Sequence, residues 1–374
     1  MTDAALPTEE AGTPRAAVLT VRQLTWRKFR RNRLAFLGMC VLLAMYLMAA
    51  FAPFIAPYGD RETHAQFART PPNGLQFFDE EGRFHPVPFV YGLKKGMDPE
   101  TFLQTTVRVT EEKYPLRLFP KGEPYRLFGL IEAERRLFGV DAPGKLFLFG
   151  TDSRGRDLFS RVLYGAQVSL TVGLVGVILS LVLGVGIGLA TGYFGGWFDS
   201  VTQRIIEMTQ AFPQIPLWLA LAALIPPTWS SAQVYFGISI VLSILTWGAL
   251  ARQVRAMVLS LKTSDFVRAA RYSNASTARI MFRHLLPSTM SHVLVIATLA
   301  IPAMILGETA LSFLGLGIKA PLTSWGLLLN EAQSVQVIVE TPWLLIPVIF
   351  VVLTIISFNF VGDGLRDAAD PFAR

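Results

Sequence analysis

Six stretches of this chain, 34–56, 166–192, 204–225, 233–253, 290–314 and 342–362, are long and mostly apolar. A helix needs about 20 such residues to cross a hydrocarbon layer roughly 30 Å thick, and each stretch meets that length. Few water-soluble folds call for so many. Composition agrees: 52% of residues are hydrophobic and 16% charged, with a mean hydropathy of +0.44, whereas ordinary soluble proteins carry about a quarter charged residues. The expected fold is an all-α polytopic membrane protein with about six transmembrane helices.

The position of the charges orients the spans. Arg22, Arg27, Lys28, Arg30, Arg31 and Arg33 precede the first run with no acid among them, which places the N-terminus in the cytoplasm by the positive-inside rule. Alternation then puts 193–203 and 254–289 inside and 226–232 and 315–341 outside. The 254–289 loop has Arg255, Lys262, Arg268, Arg271, Arg279 and Arg283 against one acid, Asp265, while 226–232 has no charge. The formal net charge of +7 thus reads as a topology signal, and no nucleic-acid partner is expected. The lone Cys40 excludes an intrachain disulfide. Ala50 and Ala52 form an A-x-A pattern, but the apolar run from Leu34 exceeds a usual signal-peptide core. The expected order is a basic cytoplasmic tail (1–33), a first span (34–57), an extracytoplasmic insertion with an interfacial segment (58–165), a transmembrane core (166–362) and a cytoplasmic C-terminal tail (363–374).

The insertion mixes both charge signs with prolines and aromatics. It predicts a small lobe of mixed structure, with a helix near 123–138 and short strands elsewhere. It serves either as surface packing or as a contact for an extracytoplasmic receptor. Within GTDSRGRD (150–157), Asp152, Arg154, Arg156 and Asp157 invite a catalytic reading. The chain has four histidines, none close by in sequence, so turn chemistry at Gly150 and Gly155 is the better account. Neither a catalytic residue nor a metal site is expected.

Inside the apolar runs, Ser180, Gly184, Gly188 and Gly192 recur at four-residue spacing, a flat stripe on which another helix can approach closely. No GxxxxGK[ST] occurs, so an energy source based on that phosphate loop must come from a partner. Ionisable groups in a membrane mark bundle interiors or pathways. Glu308 is either a carboxylate bonded to a neighbouring helix or a gate, and Glu207 can pair locally with Arg204. Pro213 and Pro216 should kink or break the third span, as a pathway wall or a packing kink.

Residues 265–287 read DFVRAARYSNASTARIMFRHLLP. Ser264 and Asp265 can open a helix over 265–272, and Asn274 tolerates the left-handed conformation a turn needs. A second helix over about 276–285 groups Ile280, Met281 and Leu285, with Phe282 near them. Such a basic, partly apolar pair suits either a groove on another protein or an anionic lipid surface.

This segment resembles the EAA loop of ABC importer permeases, in which E-A-A is followed by three residues, a glycine and, further on, L-P. Ala269, Ala270, Leu286 and Pro287 match at the same spacing; Arg268 stands in place of the usual Glu and Asn274 in place of Gly. WRKFRRNRLAFLGMCVLLAMYLMAAFAPFIAPYG near the N-terminus, FGTDSRGRDLFSRVLYGAQVSLTVG (149–173), GETALSFLGLGIKAPLTSWG (307–326) and FNFVGDGLRDAADP (358–371) are similar, in order, to the C-type permeases of bacterial oligopeptide and dipeptide importers. The resemblance implies a type I importer core and a homologous B-type permease. It also implies two ATPase subunits, which hold ATP and Mg, and a periplasmic binding protein. ATPase contacts would fall on Asp265, Arg268, Ala269, Ala270, Asn274, Arg283, His284, Leu286 and Pro287. A gate or pathway would draw on Glu207, Pro213, Pro216 and Glu308. Peptides are the expected cargo, with opines, oligosaccharides or nickel complexes as alternatives. A membrane sensor or scaffold without transport, and a membrane hydrolase, are the rival classes.

Overall fold

The computed structural model describes residues 21–97 and 104–369. The expected terminal tails therefore lie partly outside the described residues, at 1–20 and 370–374. After α1 (Val21–Arg31), Asn32 accepts a hydrogen bond from the Ala35 amide and opens α2 (Arg33–Ala50), which runs on through the short α3 (Ala52–Ile55). The lobe then supplies β1 (Gln76–Phe78), β2 (Phe84–Met97), β3 (Gln104–Leu118), β4 (Lys121–Leu127), β5 (Ile131–Arg135) and β6 (Phe138–Val140). Beyond it come α4 (Leu158–Phe194), α5 (Gly196–Gln210), α6 (Gln214–Ala222), α7 (Ser231–Leu261), α8 (Asp265–Tyr272), α9 (Thr277–Arg279), α10 (Leu286–Phe313), α11 (Trp325–Asn330), α12 (Val335–Glu340) and α13 (Ile346–Ala369).

Five helical runs among the described residues are long and apolar enough to cross a membrane: α2, α4, α7, Thr277–Phe313 and Pro342–Ala369. The sixth expected span, 204–225, is two helices. α5 ends at Gln210, Pro213 caps α6, and Pro216 sits in the first turn of α6, where its missing N–H leaves no helical bond unmade. α4 starts at Leu158, ahead of its apolar run, because the Asp157 carboxylate accepts from the Ser160 amide at 2.7 Å and its hydroxyl at 2.6 Å. At 1.5 Å per residue its 37 residues span about 55 Å, well beyond a hydrocarbon core.

α4 and α7 form the central pair. The small-residue stripe of α4 lies directly on α7. Ser180 donates to the Ser243 carbonyl, and a Cβ added at Gly188 would lie 2.6 Å from the Ala251 carbonyl oxygen and 2.8 Å from the Val254 Cβ. Backbones that close leave room for hydrogen at these positions and nothing larger. α13 packs between α2 and α10, with Gly38 of α2 against the Ser357 carbonyl.

The lobe is built from strands. β1-β2-β3-β6 form one antiparallel sheet, with Phe89 opposite Pro115 and Leu116 opposite Val140. The helix expected near 123–138 is instead the β4–β5 hairpin, turning at Phe128 (φ +53°) and Gly129 (φ +72°). Two consecutive residues with positive φ make a tight hairpin turn and end a helix. Arg136, expected on that helix, is buried: it donates to the carbonyls of Pro53 and Glu123 and lies 4.5 Å from the Tyr125 ring centre. The lobe is bound to the start of α4 through the His64 amide to the Gly155 carbonyl and the Arg69 amide to the Asp152 carbonyl. Gly155 has a φ of +75°, and a Cβ there would lie 2.1 Å from the His64 carbonyl oxygen, so this junction requires glycine.

Two tests follow from this packing. Gly188→Ala gains about 1 kcal/mol of helix propensity but overpacks the α4–α7 contact, for an expected net loss of about 1–3 kcal/mol; Gly186→Ala, which meets nothing within 4 Å, should not destabilise. Thermal unfolding in detergent would compare them, and equal midpoints would mean that the helices part readily. The His64 ring, packed edge-on to Tyr58 and near Phe147, is pushed down to about 4 by burial, with Lys145 adding to the effect. Its ordinary value is near 6.5, so below that pH the unfolded chain takes up a proton that the folded one refuses. Stability should therefore be complete above pH 6.5 and fall as pH drops towards 4. His64→Phe should flatten that slope in a pH series of melting midpoints, and an unaltered slope would assign it to other groups.

Candidate functional site

The ends of α4 and α7 furthest from the lobe carry the 262–287 segment. Ser264 precedes α8, but its hydroxyl donates to the Leu261 carbonyl at 2.6 Å and does not cap the helix. α8 is two-sided. Val267 and Ala270 turn inward to a core with Leu189, Val254, Val258, Ile280 and Leu285, while Asp265, Phe266, Arg268 and Ala269 face out, and Tyr272 is 91% exposed. The helix stops at Asn274, whose φ is +54°. The Ala275 amide reaches the Ala270 carbonyl and the Asn274 amide reaches that of Arg271, the paired bonds of a Schellman ending. The expected turn at Asn274 is present, in the conformation for which glycine is the usual residue.

The second half differs from expectation. Ser276 caps α9, but the chain then continues unbroken into α10 through a widened π turn over Ile280–Leu285. The Leu286 amide bonds to Met281, five residues back. That turn lies directly ahead of Pro287, which has no N–H and whose ring crowds the carbonyl four residues earlier in an ordinary helix. Ile280, Met281 and Leu285 are buried as expected, but Phe282 is 60% exposed, since the next position around a helix points elsewhere. Arg283 and Pro287 are exposed, and His284 and Leu286 are half-buried. Neighbouring charges stiffen the platform: Arg255 of α7 grips Asp199 of α5 with two bonds of 2.5 and 2.6 Å, and Arg271 lies 5.3 Å from the Tyr193 ring centre. The Arg255–Asp199 pair is invisible in sequence, where its members stand far apart in separate loops.

The four residues singled out for a gate or pathway are not brought together. Glu207 is exposed and pairs with Arg204 at 2.8 Å. Glu308 is fully buried, accepting from Ser312 of its own helix at 2.7 Å and from Ser169 of α4 at 3.0 Å. The Ser169 hydroxyl in turn accepts from the Trp325 amide, so Glu308 joins three elements. A cavity of about 300 Å³ opens instead between α4, α7, α10 and the α5–α6 break. Its polar lining comes from Ser180, Thr209, Gln210, Gln214 and Thr246. Pro213 and Pro216 shape the break without lining the space. Ser180 and Thr246 within apolar α4 and α7, and the polar residues flanking Pro213, were the signal for this cavity, and a weak one in sequence.

At the other end of α4, Asp152 is buried and takes Arg156 at 2.7 Å and Arg161 at 2.6 Å; both arginines also reach Glu331, at 2.9 and 3.0 Å. Its remaining oxygen accepts the Arg154 and Arg156 amides. The fold does bring His64 beside Gly155, but through the backbone, with its ring among aromatics. Both oxygens of Asp152 are thus used as structural ties.

Comparison with known proteins accords with this architecture. Residues 184–374 match the binding-protein-dependent transport system inner membrane component family, and residues 20–72 match the N-terminal transmembrane domain of oligopeptide transport permease C. The dipeptide transport system permease protein DppC of Bacillus subtilis is 31% identical over 369 residues, covering 98% of this chain and 90% of the relative. DppC of Alkalihalophilus pseudofirmus is 39% identical over 62% of the chain and 74% of the relative. The oligopeptide transport system permease protein OppC of Haemophilus influenzae is 41% identical over 60% and 70%. With its broken third span, its five continuous membrane helices and these two family matches, the chain belongs to the C-type permease subunits of bacterial peptide ABC transporters and is a multi-pass inner-membrane protein.

Proposed function

We propose that this subunit forms half of a translocation pathway for peptides, and that 265–287 transmits movement from ATPase subunits to the spans. The other half is a homologous B-type permease. Two ATPase subunits hold ATP and Mg, and a periplasmic binding protein delivers the cargo to the face carrying the lobe. In this reading both termini and the 265–287 segment are cytoplasmic and 58–165 is periplasmic, in line with the basic residues before α2 and after α7.

The observation that carries the reading is which face of α8 is spent. Its apolar side, with Val267 and Ala270, is consumed in packing on α4, α7 and the π turn. A helix resting on lipid would present that side outward. What remains outside is a basic surface with three separated aromatics, Phe266, Tyr272 and Phe282, the kind of anchors that fill pockets on a protein partner. Because this knob shares a core with the ends of α4 and α7, a partner that moves it moves them. The cavity at the α5–α6 break lies between those same helices, where irregular backbone is tolerated because it is enclosed.

Tyr272→Ala and Phe282→Ala should each cost about 2 kcal/mol of ATPase binding, read as a more than tenfold loss in co-purified ATPase subunits, while melting of the permease stays unchanged. Wild-type recovery with both variants would remove docking from this surface. Asn274→Gly should preserve or slightly raise stability, whereas Asn274→Val, forced left-handed, should lose about 1–2 kcal/mol along with transport. Equal behaviour of the two variants would show that the turn does not hold the segment in place.

A further inference from the structure

The β4–β5 hairpin has an unusual tip. The positive-φ position occupied by Phe128 ordinarily takes asparagine, aspartate or glycine, and bulky residues there are outliers. Phe128 is nevertheless 58% exposed, beside Leu130 at 86% and Ile131 at 58%. A second exposed phenylalanine, Phe119, also has a positive φ, +56°, in the turn entering β4. The fold covers only part of either ring. Their neighbours indicate what they meet. Phe128 packs edge-on to Phe51 at 5.5 Å, and Phe119 stacks on Phe54 at 6.2 Å. Phe51 closes α2, and four and eight residues before it Leu47 and Leu43 are exposed on the same face. An apolar stripe thus climbs the first span and continues without interruption onto the hairpin. Arg136 and Leu137, just after the hairpin, fix its height by donating to the Pro53 and Phe54 carbonyls at 2.6 and 2.7 Å.

We propose that the hairpin tip, Phe128–Ile131 with Phe119 beside it, inserts into the acyl-chain boundary of the bilayer beside the first span and seats the lobe on the membrane surface. An apolar loop with charged flanks, here Arg126 paired with Glu132, suits that boundary, with rings and aliphatic groups below the headgroups and charges among them. The proposal concerns lipid contact alone and stands whether or not 265–287 docks an ATPase.

The test places a nitroxide at Leu130→Cys, with Cys40→Ser removing the native thiol, in the intact transporter reconstituted into phosphatidylcholine–phosphatidylglycerol liposomes. Because the side chain at 130 is almost wholly exposed, the label should not disturb the fold. Collisions with oxygen, which concentrates in lipid, are expected to exceed those with a water-soluble nickel chelate several-fold, and a label at Ile131→Cys should follow suit. Nickel collisions dominating at both sites would place the tip in water and overturn the proposal. Shielding from both reagents would assign the surface to a protein partner and overturn it equally.

Discussion

In hydrocarbon, two helices gain nothing by hiding apolar side chains from each other, since lipid is as apolar as leucine. Whatever holds α4 to α7 must come from close approach and from polar atoms that lipid cannot satisfy. The Ser180–Gly184–Gly188–Gly192 stripe provides the first, and Ser180 reaching the Ser243 carbonyl and the Thr246 hydroxyl provides the second. The rest of the bundle is arranged about that contact. α10 lies across α4 with Gly173 against Ile305, and the knob at 265–285 seats on the ends of both central helices. A methylene at the wrong place on this stripe would shift every surface built on it.

Much of this was legible in the sequence, and the legible parts share a cause. Spans, the helix break at Pro213, the small-residue stripe and the turn at Asn274 are local or periodic, so a few neighbouring residues determine them. What escaped depends on partners distant in the chain. The 123–138 stretch has helix-forming residues, but Phe128–Gly129 reverses it, and Arg136 is drawn to the Pro53 carbonyl of α3. Arg161 and Glu331 read as unrelated charges until folding sets them 3.0 Å apart. Phe282 reads like its neighbour Met281 in sequence because both are apolar, although helical geometry points them apart. The polar lining of the cavity escaped for the opposite reason: single threonines in helices also bond to their own backbone, as Thr209 does to the Ile206 carbonyl and Thr246 to that of Leu242.

The charged residues divide by depth. Glu308 is enclosed at the centre of the helices with serines as its only side-chain partners among the described residues, joining α4, α10 and the start of α11. The Asp152–Arg156–Arg161–Glu331 cluster closes the lobe end of the bundle, and Asp199–Arg255 closes the other. Removing Asp152 would leave the Arg161 guanidinium enclosed without its nearest carboxylate, which costs far more than the pair contributes. Each cluster joins segments remote in sequence, so each also specifies which helix ends may meet.

The length of α4 has a mechanical consequence. A continuous helix of about 55 Å resists bending sharply here, because it has no proline within it and its Gly184, Gly188 and Gly192 are pressed against α7. One end is clamped into the charged cluster beneath the lobe and the other is embedded in the core of the α8 knob. It is therefore a strut, and load applied at either terminus is felt at the other. Thermodynamic linkage makes the effect reciprocal: a ligand on one face that favours one tilt of this strut changes affinity on the opposite face by the same factor with which it is itself affected.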